Sequence, residues 1–357
     1  MTTTRFAVGG ERPYEVVVGT GVLPAVPAFL GSAAGNAVVI HADSLTTVAA
    51  AVCRSIADAG YAVRAEPVPD GEAAKEIGVA AGLWSRLAAA GVGRDDAIVG
   101  VGGGAVTDVA GFVAATWLRG VRVVLVPTTL LGMVDAAIGG KTAINTADGK
   151  NLVGAFYPPA GVVADIAVLA SLPPAEYASG LAEVIKAGFI ADPVILDLVE
   201  AGPEAAARPG GPHERELIER SVAMKAAVVS ADLREAGLRE TLNYGHTLGH
   251  AIERVENYSV RHGEAVAIGM GFAAALARLA GRLDEATAAR HRSVLASVGL
   301  PVRYRPGAWP ELRAAMAMDK KARAARLRLV VLDGLAKPGI LTDPPEELLE
   351  RAYAEVS

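Results

Sequence analysis

The amino-acid sequence predicts an α/β fold, with a parallel-sheet N-terminal domain followed by a mostly α-helical C-terminal domain. Three observations lead to this prediction. Short apolar runs alternate with amphipathic stretches in the first half, long helical patterns fill the second half, and Leu-Pro-Pro at 172–174 separates them. We place the boundary near residue 175, which divides the 357 residues into domains over 1–175 and 176–357.

The predicted strands of the first domain are short and rich in β-branched residues, as in a parallel sheet that is covered on both faces. They are residues 14–18, 37–40, 97–101, 121–126 and 162–164. Amphipathic stretches at 46–59 and 75–90 predict crossover helices between strands. In such a sheet, the loops at the carboxyl ends of the strands meet along one crevice, where nucleotides bind.

The second domain shows helical patterns from residue 176 to 280, with a Pro- and Gly-rich break at 201–212. The longest uncharged apolar run, 265–277, is shorter than the ~20 residues that span a bilayer, so it predicts a buried helix. A late β-like run at 327–332 precedes an Asp-Gly turn signal at 333–334.

Composition excludes several classes of protein. The net charge of −5 provides no broad basic face for nucleic acid. The single cysteine, Cys53, rules out an intrachain disulfide and is typical of a reducing compartment. Residues 1–10 lack the apolar core of a signal peptide. We therefore expect a cytoplasmic protein without nucleic-acid or membrane partners.

A glycine-rich segment at 101–108 (VGGGAVTD) follows a predicted strand and leads into helix-like residues 109–117. Glycines allow the backbone to approach a ligand, and a helix start favours a phosphate. Thr107 stands where the dinucleotide fingerprint G-x-G-x-x-G has its third glycine, and the segment is not a P-loop. Tight packing of strand against helix is the alternative interpretation.

Three of the six histidines lie close together in the sequence: His246, His250 and His262. His246 and His250 are spaced i, i+4 and so share one helix face. With Glu264 just after His262, this composition suits a divalent metal bound by imidazole and carboxylate. Surface or capping histidines are the alternative.

A zinc metalloprotease would need glutamate directly after the first histidine of the pair, and Thr247 occupies that place. A carboxylate ligand must therefore come from elsewhere. Glu183 stands among apolar residues in the helix-like segment 180–186, where a charge needs a partner. It is the candidate that completes the metal site.

Several cations lie beside glycines or in apolar surroundings rather than on solvated helix faces. They are Arg119, Lys141, Lys150, Lys186, Lys225, Arg239, Lys320 and Lys321. The sequences at 139–141 (GGK) and 149–151 (GKN) predict loops that present a lysine. The simplest interpretation of any one of these cations is a charge on the protein surface. Together, the set indicates a small anionic substrate bearing carboxylate and phosphate.

Nearly the whole chain resembles 3-dehydroquinate synthases, which belong to the sugar-phosphate cyclase superfamily. The matching motifs are 101–112 (VGGGAVTDVAGF), 119–121, 126–131 (VPTTLL), Asp135 with 139–141, 149–154 (GKNLVG), 180–186 (GLAEVIK), 242–253 (LNYGHTLGHAIE), 262–264 and 319–321. The resemblance implies a Rossmann-like NAD-binding domain, a helical metal- and substrate-binding domain, and a homodimer.

The resemblance also implies roles for individual residues. Glu183, His246 and His262 match the ligands of Zn²⁺ or Co²⁺, and His250 and Glu235 match residues that handle protons. The implied NAD contacts are Asp43, Asp70, Gly71, Glu72, Lys75, Gly103, Gly104, Ala105, Val106, Thr107, Asp108, Thr128, Thr129, Lys141, Lys150, Val168, Ser171 and Leu172. The implied substrate contacts are Arg119 (across the subunit interface), Asp135, Lys141, Asn151, Lys186, Lys225, Arg239, Asn243 and one of Lys320 and Lys321. Of these, Lys141, Asn151 and Arg239 are also candidate catalytic residues.

The reaction implied by the resemblance converts 3-deoxy-D-arabino-heptulosonate 7-phosphate to 3-dehydroquinate and phosphate. It proceeds by transient oxidation with NAD, phosphate elimination, reduction and an intramolecular aldol. The alternatives are a sibling cyclase acting on sedoheptulose 7-phosphate or glucose 6-phosphate, a metal-dependent alcohol or glycerol dehydrogenase, and a nucleotide-binding regulatory module. Two departures from the family pattern, Leu233 in place of an acidic residue and ARAAR at 322–326, affect the substrate loops.

Overall fold

The computed structural model describes residues 3–322 and 326–357, and the side chains of 318–322 lie outside this description. The chain divides into two compact units. One comprises Met1–Leu172 with Lys225–Arg234, and the other comprises Pro173–Met224 with Glu235–Ser357. Helical patterning predicts residues 225–234 in the second domain. They belong to the first unit, where Lys225 pairs with Asp135.

The first unit is built on a sheet whose interior strands are buried and rich in valine. The strands are β1 (Thr3–Val8), β2 (Tyr14–Gly19), β3 (Asn36–Ala42), β4 (Ala62–Val68), β5 (Ala97–Gly102), β6 (Arg122–Pro127), β7 (Lys141–Thr146), β8 (Gly149–Phe156) and β9 (Gly161–Asp165). Seven of them form one sheet in the order β1-β2-β9-β6-β5-β3-β4, parallel except for the β1–β2 pair. The predicted parallel α/β sheet is confirmed.

The two strands that apolar patterning missed in this sheet are its edges. β1 alternates exposed and half-buried residues, and β4 contains Arg64, Glu66 and Pro67. Edge strands contact the core on less of their surface, so their sequences tolerate charge and proline. A search for continuous apolar runs therefore detects only the interior strands.

Three helices of the first unit connect the strands: α1 (Thr46–Asp58), α2 (Ile77–Ala89) and α3 (Gly104–Thr116). α3 begins at Gly104, earlier than the predicted 109, and is buried along most of its length between the sheet and β7. A Cβ at Gly111 would lie 2.4 Å from the Thr142 side chain, so glycine is what allows α3 and β7 to pack this closely.

The sequence predicts loops at 139–141 and 149–151, and this prediction is wrong for Lys141 and for the whole of 149–151. Lys141 is the first residue of β7, and Lys150 and Asn151 lie in β8, paired antiparallel with β7. The glycines favour a loop when each segment is considered alone. In the structure, the two segments pair with each other, and this pairing satisfies their backbone N–H and C=O groups.

The second unit is mainly helical, as predicted. Its elements are α4 (Pro174–Ile190), α5 (Val194–Ala201), α6 (Pro203–Ala206), the first turns of α7 (Glu214–Ala231), α8 (His246–Val255), α9 (His262–Leu279), α10 (Glu285–Ser297), α11 (Trp309–Ala322), the hairpin β10 (Arg328–Leu332) and β11 (Pro338–Thr342), and α12 (Glu346–Ala354).

α9 is the central helix of this unit. The apolar run 265–277 forms its buried body, packed against α4, α8, α10, α12 and β10, so the prediction of a buried helix is confirmed. Within the described ranges, no helix combines the length and apolar character required to cross a bilayer.

Candidate functional site

Glu183, His246 and His262 come together in the second unit. The Nε2 atoms of His246 and His262 lie 3.6 and 3.7 Å from Oε1 of Glu183. One ligand atom from each residue lies within 4.8 Å of the other two, which suits a single divalent ion. The structure thus brings together the three predicted metal ligands.

Each ligand is held by a different helix. Glu183 lies in the buried middle of α4, His246 is the first residue of α8, and His262 is the first residue of α9. The Gly263 amide donates a 3.0 Å hydrogen bond to Ser179 Oγ, and a Cβ at Gly263 would lie 1.9 Å from the Ser179 carbonyl oxygen. Glycine therefore allows the start of α9 to meet α4.

Hydrogen bonds at the other ring nitrogens orient both imidazoles. His246 Nδ1 lies 3.1 Å from the Tyr244 carbonyl oxygen, and His262 Nδ1 lies 3.3 Å from Glu253 Oε2. These acceptors favour protons on Nδ1, which leaves both Nε2 atoms as donors to a metal. Glu253 was missed as a functional residue, although its place on α8 seven residues after His246 puts it on the same helix face.

The two carboxylate oxygens of Glu183 have different surroundings. Oε2 pairs with Lys186, whereas Oε1 is buried and has no hydrogen-bond partner among the described residues. A buried carboxylate oxygen without a partner is costly, and a metal ion would satisfy it together with the two Nε2 atoms. The residues present therefore fit a divalent metal.

The charges around this cluster favour an ionised carboxylate. Burial would raise the pKa of Glu183, but Lys186 and the two histidines hold it well below the usual range. Burial and the charge of Lys186 hold the pKa of His246 well below its ordinary value. For His262, burial would lower the pKa, but the neighbouring carboxylates of Glu183 and Glu253 outweigh it and raise the pKa to about 10.

His250 lies beside the cluster but is exposed. Its ring centroid is 5.2 Å from that of His246 and 6.1 Å from that of His262. His250, Glu253 and His262 also form a group whose ligand atoms lie within 4.8 Å of one another. Glu264, which the sequence associates with the metal site, instead pairs with Arg261 at the start of α9.

A short 3₁₀ turn, Leu238–Asn243, carries the predicted substrate residues of this unit. Arg239 is 3% exposed. Asn243 Nδ2 donates a 2.5 Å hydrogen bond to Oε1 of Glu235, whose backbone is left-handed with φ of 60°. The side chains of Lys320 and Lys321 lie outside the described residues.

In the first unit, the glycine-rich turn joins β5 to α3 as predicted. A Cβ at Gly102 would lie 2.6 Å from Val106, and one at Gly103 would lie 3.1 Å from Thr129. Thr107 is buried and donates to the Gly104 carbonyl at 2.9 Å, so its hydroxyl serves its own helix. The backbone near Gly103 and Gly104 is thus the part of this turn suited to a phosphate.

Lys75, a predicted cofactor residue that is 2% exposed, contacts another predicted cofactor residue and a predicted substrate residue. Its ammonium donates to Asp108 Oδ2 at 2.6 Å and contacts the side-chain oxygen of Asn151. Glu72 lies 3.6 Å from Lys150. Burial raises the pKa of Asp108 to about 6, although Lys75 opposes this shift.

Further predicted residues follow the carboxyl ends of the strands. Asp70, after β4, accepts a 2.7 Å hydrogen bond from Ser44, which is adjacent to Asp43 after β3. The remaining residues at strand ends are Thr128 and Thr129 after β6, and Val168, Ser171 and Leu172 after β9. The structure therefore places these loops at the carboxyl ends of the parallel strands, as predicted.

Asp135 lies on a single π-helical turn, Gly132–Ala136, a local form that is frequent at functional sites. Lys225 is buried and contacts both the carboxylate and the backbone carbonyl of Asp135. Arg119 is exposed and precedes β6, so it lies at the opposite end of that strand from Thr128. The structure does not bring Arg119 to the cofactor loops of this unit.

Family models match residues 66–322 of this chain, and relatives match its full length. Family models described as 3-dehydroquinate synthase N-terminal and C-terminal match residues 66–179 and 180–322. The 3-dehydroquinate synthase of Thermobifida fusca is 67% identical over 358 residues, covering 100% of this chain and 97% of that protein. That of Streptomyces coelicolor is 60% identical over 356 residues, covering 99% and 98%.

Solved structures of related enzymes share the fold. A 2-deoxy-scyllo-inosose synthase with carbaglucose-6-phosphate, NAD⁺ and Co²⁺ is 27% identical, with a TM-score of 0.88 and coverage of 98% and 99%. A 2-epi-5-epi-valiolone synthase from Streptomyces hygroscopicus, with NAD⁺ and Zn²⁺, is 26% identical, with a TM-score of 0.89 and coverage of 99% of each chain.

Proposed function

The chain belongs to the 3-dehydroquinate synthase family, and on that premise we propose that it converts 3-deoxy-D-arabino-heptulosonate 7-phosphate into 3-dehydroquinate and phosphate. This is a carbon–oxygen lyase reaction in which NAD is regenerated at each turnover. In the structure, the observation that supports it most directly is the cluster of Glu183, His246 and His262, in which one buried carboxylate oxygen has no hydrogen-bond partner among the described residues.

We assign the metal to these three residues and NAD to the loops after β3, β4, β5, β6 and β9. A bound Zn²⁺ or Co²⁺ would supply Lewis acidity toward a substrate hydroxyl, and NAD would supply a reversible hydride acceptor. The chain's contribution at the metal is to hold two imidazoles and one carboxylate with their free donor atoms facing one point. Lys186 keeps the carboxylate ionised.

The cations of the chain would bind and orient the substrate. The residues assigned to this task are Arg119, Lys141, Lys186, Lys225, Arg239 and one of Lys320 and Lys321, with Asp135, Asn151 and Asn243 as polar contacts. Arg239 suits a carboxylate because a planar guanidinium donates two parallel hydrogen bonds. Holding both charged ends of a flexible substrate selects one conformer and supplies proximity.

Proton transfer is assigned to His250 and Glu235. His250 is exposed at the edge of the metal cluster, so it can exchange protons with solvent and with a hydroxyl bound nearby. Glu235 is held by Asn243 on a left-handed backbone position. We further propose a cytoplasmic homodimer in which Arg119 reaches the substrate of the partner subunit, as the family resemblance implies.

The experiment that tests this function is a phosphate-release assay with purified protein and the heptulosonate phosphate, with and without a chelator. Absorbance of NADH is followed in parallel. We expect chelator-sensitive phosphate release without net accumulation of NADH. Net NADH formation on an alcohol would instead identify a dehydrogenase.

A sibling cyclase is the second candidate, because a 2-deoxy-scyllo-inosose synthase in complex with carbaglucose-6-phosphate shares this fold at a TM-score of 0.88. Turnover of sedoheptulose 7-phosphate or glucose 6-phosphate, with none of the heptulosonate phosphate, would favour it. A variant, Arg239→Lys, distinguishes the two candidates further. It should raise KM for a substrate with a carboxylate and leave KM unchanged for a substrate without one.

A further inference from the structure

Tyr244 and His291 form a buried polar pair in the second unit that none of the roles above uses. Both residues are 0% exposed. The Tyr244 hydroxyl lies 2.9 Å from His291 Nε2, and His291 Nδ1 lies 2.8 Å from the Thr287 carbonyl oxygen. The His291 ring also stacks on Phe189, with centroids 3.5 Å apart and planes 11° apart.

The direction of the hydrogen bonds follows from the chemistry of the partners. A backbone carbonyl can only accept, so His291 Nδ1 carries the proton that bonds Thr287. Burial lowers the pKa of His291 to about 4, so the ring is neutral and its Nε2 is an acceptor. The Tyr244 hydroxyl therefore donates to His291, and both side chains are satisfied in one arrangement.

This pair connects to the metal cluster through the backbone of Tyr244. The Tyr244 carbonyl oxygen lies 3.1 Å from Nδ1 of His246, and the same residue's hydroxyl is fixed by His291. The next peptide, Gly245–His246, lies against α9, because a Cβ at Gly269 would lie 1.9 Å from the Gly245 carbonyl oxygen. Gly245 itself has a left-handed backbone with φ of 80°.

We infer that Tyr244 and His291 are positioning residues for the metal ligand His246. His291 holds the Tyr244 side chain, the side chain fixes the Tyr244 carbonyl, and the carbonyl holds the His246 ring with Nε2 directed at Glu183. Phe189 lies on α4, the helix that carries Glu183, and it stacks on His291. The buried His291 ring therefore contacts the helix of one ligand, Glu183, and the residue that holds the other ligand, His246. The inference rests on the proposed metal site.

The test measures metal affinity directly, with Co²⁺ as the probe. Tyr244→Phe keeps the ring and removes the hydroxyl. We expect the dissociation constant for Co²⁺, measured by competition with a chelating dye, to rise about tenfold, the lower end of the effect of residues that orient metal ligands. The visible absorption spectrum of the bound Co²⁺ should also change. The matched control is Tyr353→Phe, which removes the hydroxyl of another buried tyrosine, one that donates to the Arg305 carbonyl at 2.6 Å.

A second pair of variants tests the same link from the other side. His291→Leu removes the acceptor and should weaken Co²⁺ binding about as much as Tyr244→Phe. His291→Gln retains an acceptor and should restore much of the affinity. His291 acts on His246 only through Tyr244. The double variant Tyr244→Phe/His291→Leu should therefore weaken Co²⁺ binding no more than either single variant.

The inference would be overturned if Tyr244→Phe bound Co²⁺ with unchanged affinity and an unchanged spectrum, even if its thermal stability were lower. If only His291→Leu folds, the same result in that variant would overturn it. Glu183→Gln separates this failure from failure of the metal site. If Glu183→Gln abolishes Co²⁺ binding and neither variant of the pair affects it, only the positioning role is wrong. If Glu183→Gln has no effect either, the proposed metal site is wrong as well.

Discussion

Glu183 and Lys186 lie one turn apart on α4 and form a buried ion pair that engages only one oxygen of the carboxylate. The lysine compensates the charge of Glu183 inside the protein, and the second oxygen is left facing the two histidines. Because a buried carboxylate without compensation would protonate, this pair is what keeps Glu183 available as an anionic ligand.

Replacement of Glu183 by glutamine should remove the metal and lower stability together. The amide cannot offer an anionic ligand, and Lys186 is left as a buried charge without its partner, which costs about 3 kcal/mol. Metal content after dialysis and the free energy of unfolding measure the two effects. The control is Glu214→Gln, a half-buried carboxylate bonded to Tyr177, which should retain the metal. Full metal occupancy in Glu183→Gln would contradict the ligand assignment.

His250→Ala should lower kcat by roughly 100-fold to 10,000-fold, the usual contribution of a general acid or base, without loss of metal. The reason is that His250 is exposed and lies outside the group formed by Glu183, His246 and His262. Steady-state kinetics and metal analysis of the same preparation provide the measurement. A parallel loss of metal would instead place His250 among the ligands, with Glu253 and His262.

Gly263→Ala should destabilise the second unit and weaken metal binding. Its new Cβ would lie 1.9 Å from the Ser179 carbonyl oxygen, so the start of α9 with His262 must move away from α4. We expect a loss of about 2 kcal/mol or more, as for overpacked core positions. The matched control is Gly78→Ala in α2, where a Cβ meets nothing within 4 Å and helix propensity predicts a gain of up to about 1 kcal/mol. Equal stability of the two variants would show that the close approach is not required.

Asp108 should make stability depend on pH in a definite direction. Its pKa is about 6 in the folded protein against an ordinary value of 3.8, so the folded state holds the proton more tightly between these values. The stability that Asp108 contributes therefore falls as pH rises through this window.

The measurement compares the free energy of unfolding of the unmodified protein with that of Asp108→Asn at pH 4 and pH 7. We expect the difference, unmodified minus variant, to decrease by roughly 2 kcal/mol from the lower to the higher pH. The matched control is Asp148→Asn, which alters an exposed carboxylate. A difference that increases with pH would mean that Lys75 outweighs burial at Asp108.

Sequence alone determined features whose cause is local. The interior strands of the sheet are continuous apolar runs, α9 follows from an uncharged run bounded by charges, and the i, i+4 spacing of His246 and His250 puts both on one helix face. Glu183 could be singled out because a lone carboxylate in an apolar helix needs a partner. These features depend on periodicity and on the cost of burying charge, both of which are visible in one segment.

Only the tertiary structure decided which distant residues meet. It paired the segments of Lys141 and Asn151 as strands, joined Lys225 to Asp135, placed Glu253 rather than Glu264 beside His262, and held Tyr244 against His291. None of these contacts leaves a periodic signal, because each depends on where two separate elements pack and on which hydrogen-bonding groups burial leaves to be satisfied. The sequence therefore determined the types of element and the candidate ligands, whereas packing decided which atoms of those ligands are free to bind.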